Sequence, residues 1–77
     1  MSIQVKFFGV LADAAKKKEF YLENITDTEL LRKKILSDFP DLGKQSFVIA
    51  VNKKIAKGNV LINAGDIVAL LPPFAGG

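Results

Sequence analysis

The 77-residue chain has no cysteine, no histidine and no tryptophan, and a single methionine and tyrosine. Without cysteine there is no disulfide staple and no thiolate nucleophile. Without histidine there is no imidazole to move protons or hold a metal near neutral pH. No run of 18 apolar residues occurs, and the start of the chain lacks the charged, apolar and small-residue sequence of a secretory signal. The expectation is a chain without membrane contact, working in the cytoplasm. The acidic residues offer no catalytic pair: Asp27 and Glu29 suit a helix start, Asp66 a turn, and Glu19 and Glu23 solvated strand positions. No cluster of oxygen ligands suggests a hard cation, so no metal site is expected.

What is present suits one small domain, of a size that buries only about 60% of the surface its unfolded chain exposes. Eleven Lys and Arg against eight Asp and Glu give a net charge of +3. The clusters Lys16-Lys17-Lys18, Lys33-Lys34 and Lys53-Lys54 have no interleaved aromatics, and no helix-turn-helix or RNP pattern accompanies them. Nucleic acid is therefore not an expected partner. A solvated Lys-rich surface that steers the domain toward an acidic protein is the simpler reading.

Ile3-Gln4-Val5-Lys6-Phe7 alternates as a half-buried strand does, with Ile3, Val5 and Phe7 inward. Phe8 breaks the pattern and falls on the outer face with Gln4 and Lys6, either covered by a loop or open to a partner. Leu11 to Lys16 predicts about a turn of helix. Glu19 to Leu22 predicts a strand antiparallel to the first. Thr26-Asp27-Thr28-Glu29 reads as a capping box, with Thr26 as N-cap, opening a helix through Phe39 that Pro40 ends. At 100° per residue, Leu31, Ile35 and Phe39 fall within about 80° of one another, an apolar stripe that must lie on a sheet. Asp41 to Lys44 reads as a loop, Phe47 to Val51 as a central strand, Ile55-Ala56 as a short one, and Ile67 to Leu71 as a last strand after the Ala64-Gly65-Asp66 turn. The first and last strands, apolar on both faces, are the expected parallel neighbours. Strand, strand, helix and three strands in this order predict an α+β layer packing of the β-grasp (ubiquitin-like) type: a mixed sheet of about five strands with one main helix across it, spanning residues 1–71.

Residues 72–77, Pro72-Pro73-Phe74-Ala75-Gly76-Gly77, can continue neither a strand nor a helix. An exposed terminus is by default a frayed end. Gly-Gly two residues behind Pro-Pro on this pattern reads instead as a flexible tail with a task. Pro-Pro stiffens its base as polyproline II, and six extended residues reach about 20 Å. The Gly77 carboxylate, with no Cβ on either terminal residue, fits a channel that would reject a side chain. A partner that adenylated it would turn the tail into an activated acyl carrier.

Over its whole length the chain resembles the MoaD family, the small subunit of molybdopterin synthase, within the ubiquitin-like sulfur carriers that include ThiS. The matching residues are Val5-Lys6-Phe7-Phe8, Thr28-Glu29-Leu30-Leu31, Ala50-Val51-Asn52 and above all Gly65-Asp66-Ile67-Val68-Ala69-Leu70-Leu71-Pro72-Pro73-Phe74-Ala75-Gly76-Gly77. The resemblance implies that a MoeB-like enzyme uses ATP to adenylate Gly77, so that the chain binds no cofactor itself. A sulfurtransferase system then replaces the adenylate with sulfur, giving a thiocarboxylate. The tail enters a MoaE-like large subunit and delivers sulfur to cyclic pyranopterin monophosphate. Two deliveries complete the dithiolene of molybdopterin. The absence of cysteine agrees, because the sulfur rides on the main chain.

The resemblance further implies that Phe8, Ile55 and Leu71 pack on the large subunit in a heterotetramer. Pro72, Pro73, Phe74, Ala75 and Gly76 would line the tail's path, with Phe74 as its aromatic anchor. Ile67 stands where relatives often carry an acid, and Val10 to Lys16 departs from the Arg-Glu pair common after the first strand. A ThiS-like carrier for thiamine thiazole is the alternative, although such chains usually make a tight hairpin where this one has ten residues between Phe8 and Glu19. A ubiquitin-like protein modifier is another, since only the nucleophile that attacks the acyl-adenylate differs.

Overall fold

The computed structural model describes residues 2–73. Along the chain run β1 (Ser2–Phe7), α1 (Val10–Ala15), β2 (Glu19–Glu23), α2 (Thr28–Asp38), a 3-10 turn (Pro40–Lys44), β3 (Val48–Val51), β4 (Lys54–Ile55) and β5 (Ile67–Leu71). The five strands form one sheet in the order β2-β1-β5-β3-β4. β1 and β5 are parallel, and every other neighbouring pair is antiparallel.

Period-two alternation decides the faces. Ile3, Val5 and Phe7 of β1 and Val68 and Leu70 of β5 point inward and are buried. The register seats Val5 beside Val68 and Phe7 beside Leu70. Leu31 and Ile35 of α2 close over them, both fully buried, as the predicted stripe requires. Phe39 completes that stripe in an aromatic trio. Its ring lies 5.3 Å from Phe7 and 5.4 Å from Phe20, both edge-on, while Phe7 and Phe20 stack at 5.6 Å. The trio joins β1, β2 and the end of α2, with edge and face geometry that aromatic quadrupoles favour.

Several expectations need correction. The α2 N-cap is Asp27, not Thr26: its carboxylate accepts from Leu30 N–H at 2.8 Å. Thr26 is held elsewhere, its carbonyl accepting from Ile62 N–H at 2.9 Å. An aspartate also complements the helix dipole, which a threonine does not. The helix ends at Asp38, with Phe39 as its C-cap. Residues 41–44 are not a plain loop but part of the 3-10 turn, and this turn buries Leu42 completely. The middle strand is β5; β3 lies between β5 and β4. β3 is nevertheless buried on both faces, since the neighbours Ile49 and Ala50 are both enclosed.

The segment between β4 and β5 packs against the start of α2. Thr28 N–H donates to Val60 O at 2.9 Å, and the buried Thr28 hydroxyl accepts from Val60 N–H at 3.0 Å. Asp27 bridges to Leu61, and Ile62 turns into the core.

Candidate functional site

The alternation that fills the inner face sends Lys6, Ile67, Ala69 and Leu71 outward. Phe8 N–H donates to Leu70 O at 3.1 Å, extending the parallel ladder one residue past β1 and presenting the Phe8 ring on the outer face. In the next rows Ala69 is paired with Ala50, and Ala50 with Ile55. These small and branched residues form the floor of an open depression of about 450 Å³, which Phe8, Ile55, Ile67 and Leu71 share with Lys6, Asn52 and Lys53. Phe8 is 44% exposed, Ile55 51% and Ile67 44%. Phe8, Ile55 and Leu71, far apart in sequence, are thus brought together on one surface. None of the described residues covers it. An uncovered apolar patch of this kind marks an interaction surface.

A polar clamp holds one side of the depression. β3 and β4 are joined through Asn52 and Lys53, with φ of 49° and 73°, the two left-handed residues of a tight type I′ hairpin, where Asn is well suited. Asn52 N–H donates to Ile67 O at 2.8 Å, and its Oδ1 accepts from Ile67 N–H at 3.0 Å. Its Nδ2 donates to Asp66 Oδ1 at 3.0 Å, and Asn63 N–H donates to Asp66 Oδ2 at 2.8 Å. These bonds fix the hairpin tip to the start of β5. Asn52 first, then Asn63, stabilises the ionised form of Asp66 and holds its pKa below the ordinary value of 3.8. The turn before β5 has Gly65 at φ 84°, as its third position demands.

Pro72, just past the end of β5, sits beside Gly9, the residue after Phe8. Gly9 leaves β1 with φ 58° and ψ −136°, a conformation that only glycine adopts easily. A Cβ there would come within 3.2 Å of Pro72 Cγ. Pro72 is half-buried and Pro73 exposed. Phe74, Ala75, Gly76 and Gly77 lie outside the described residues.

Sequence reasoning placed Phe8 on the outer face from alternation, and Ile55 and Leu71 there only by resemblance. It missed the clamp, although Asn52 in a two-residue hairpin loop and Asp66 behind a Gly were its visible signs. It also assigned Asp66 to a turn without its second partner. Among the described residues there is no group of three Cys, His, Asp or Glu able to hold a metal, and no helix is long and apolar enough to cross a membrane.

A family model described as the ThiS family matches residues 5–77. The chain is similar to a chain in the solved protein–protein complex of subunits 1 and 2 of the molybdopterin-converting factor from Helicobacter pylori 26695. That match has 31% identity and a TM-score of 0.73, and covers 100% of both chains. A Pyrococcus furiosus protein provisionally named molybdopterin converting factor subunit 1 matches at 20% identity with a TM-score of 0.87, over 96% of this chain and 99% of that one. The small archaeal modifier protein 1 of Haloferax volcanii matches at 20% identity and a TM-score of 0.81, over 95% and 98%. The last two likenesses speak to the fold, which is β-grasp and ubiquitin-like.

Proposed function

The chain belongs to the ThiS family of ubiquitin-like sulfur carriers, and on that premise we propose that it is the sulfur-carrying small subunit of a molybdopterin synthase. The observation that carries this reading is the apolar depression of Phe8, Ile55 and Leu71, whose lining residue Leu71 immediately precedes Pro72, where the tail begins. Docking by that face would hold the tail's root at a set place on a partner. The likeness to the Helicobacter complex of subunits 1 and 2 supports the pathway and a large-subunit partner.

The reactive group is the Gly77 carboxylate. A MoeB-like partner transfers AMP from ATP to a carboxylate oxygen, releasing pyrophosphate. The outer sulfur of a sulfurtransferase persulfide then attacks the acyl carbon and AMP leaves; a thiol cleaves the resulting acyl disulfide, so that Gly77 ends as a thiocarboxylate and the sulfurtransferase cysteine as a disulfide with that thiol. In the large subunit the sulfur passes to cyclic pyranopterin monophosphate. The chain supplies no side chain to these steps. Gly76 and Gly77 offer a backbone slim enough for a narrow channel, and Pro73, Phe74 and Ala75 line the way in.

Intact mass spectrometry tests the reading. Incubation with the activating enzyme, ATP and a sulfur donor is expected to exchange one oxygen of the chain for sulfur. Deleting Gly77 is expected to abolish both that exchange and molybdopterin formation, with thermal unfolding unchanged. A deletion variant that still supports molybdopterin formation would overturn the proposal. A second reading, sulfur delivery to a thiamine thiazole, is favoured by the description of the matching family model. It predicts that the thiocarboxylated chain supplies a thiazole synthase and not the large subunit.

A further inference from the structure

We infer that the docking face selects its partner by charge as well as by apolar contact, and that it fits an apolar protrusion edged with carboxylates. This rests on the reading of that face as the large-subunit site.

The depression is flanked by two lysines. Lys6 lies on β1, on one side of β5, and Lys53 at the β3–β4 tip on the other. Two to three strand spacings, about 10–14 Å, separate those positions. Among the described residues no carboxylate forms an ion pair with Lys6 or Lys53, although Glu19 and Asp66 lie near them and keep their charge. Glu19, opposite Lys6 in the antiparallel ladder, accepts from Gln4 Nε2 at 2.8 Å. Asp66, beside the hairpin tip, has one oxygen on Asn52 and the other on Asn63 N–H. The side-chain ion pair among the described residues, Lys34 with Asp38 at 3.3 Å, is on α2 and not on this face. Among the described residues, then, both lysines line this face without an ion pair of their own.

Docking on the apolar floor removes water from around these charges. An ammonium left unpaired there opposes binding, whereas a facing carboxylate gains from the lowered dielectric. A second copy of the chain is a poor occupant, because a twofold contact through this patch crowds four lysines together. A purely apolar partner would leave both lysines stranded at its edge.

The test is the affinity of the full chain for the large subunit of the same organism, at about 50 mM and about 500 mM NaCl, where screening differs strongly. The wild-type dissociation constant is expected to rise about three- to tenfold with salt, as two exposed ion pairs allow. Lys6→Glu/Lys53→Glu is expected to weaken low-salt binding by at least about tenfold and to lose the salt dependence. Lys6→Gln/Lys53→Gln should fall between. Lys33→Glu/Lys44→Glu changes the net charge equally on exposed positions away from this face and should stay within about twofold of wild type. Wild-type binding indifferent to salt, with Lys6→Glu/Lys53→Glu matching the Lys33/Lys44 control, overturns the inference alone. A chain that does not bind the large subunit under either condition overturns the functional reading and this inference together. Concentration-dependent dimerisation of the chain alone, abolished by Phe8→Arg, overturns it in favour of a second copy.

Discussion

The two faces of the sheet are built from the same strands by the same alternation, yet they are committed to different ends. The inner face carries Ile3, Val5, Phe7, Val68 and Leu70, and α2 covers it with Leu31 and Ile35. The outer face carries Lys6, Phe8, Ile67, Ala69, Leu71, Ala50 and Ile55, and no described element covers it. Apolar content alone does not distinguish them, since the outer face also holds phenylalanine, isoleucine and leucine. What distinguishes them is whether the chain closes its own surface. A residue inside holds up the fold; one outside leaves apolar surface that the described residues do not cover.

The sharpest way to break this contrast is to replace one apolar side chain on each face. Leu31→Ala on the inner side is expected to cost about 2–5 kcal/mol in denaturant unfolding, a large share of the stability of so small a domain. A loss below about 1 kcal/mol would mean that α2 is not the lid of the core. Phe8→Arg on the outer side is expected to change unfolding by less than about 0.5 kcal/mol. It should weaken large-subunit binding by about 2 kcal/mol or more, near thirtyfold, if Phe8 is an anchor. An unfolded Phe8→Arg variant would place this ring in the core and erase the distinction.

The smallest expected effect concerns the clamp that shapes the outer face. The folded chain holds the Asp66 proton less tightly than the unfolded chain does, so this carboxylate contributes stability above its unfolded pKa. That contribution is lost as pH falls through the depressed folded value. Asp66→Asn should therefore lower stability slightly at neutral pH and flatten its decline in acid. Thermal unfolding of both proteins from pH 7 down to about 3 checks it. An unchanged acid limb would show that the Asn52–Asp66 bond adds nothing to the fold.

Much of this was legible in the sequence, for reasons that are local. Ile3-Gln4-Val5-Lys6-Phe7 declares a strand and its faces because side chains alternate by covalent geometry. The Leu31, Ile35, Phe39 spacing declares a helix stripe in the same way. The helix start was less legible, because Thr26, Asp27 and Thr28 are all good caps and the choice among them depends on residues 58–62 packing alongside. Leu42 was read as loop because one leucine among Asp41, Gly43 and Lys44 has no periodicity to reveal it. The pairing within the clamp was missed for a related reason: Asn52 and Asp66 are fourteen residues apart and meet only because β3 and β5 are neighbours.

By itself, then, the amino-acid order determined the period of each element and which residues of β1 and β5 turn the same way. Only the tertiary structure decided that β5 inserts between β1 and β3, and with it that Phe8, Ile55 and Leu71 share one surface with Lys6 and Lys53 at its margin. The physical reason is that a strand's faces follow from bonds a few ångströms long. Which strands become neighbours is settled by burial of all the inner faces at once.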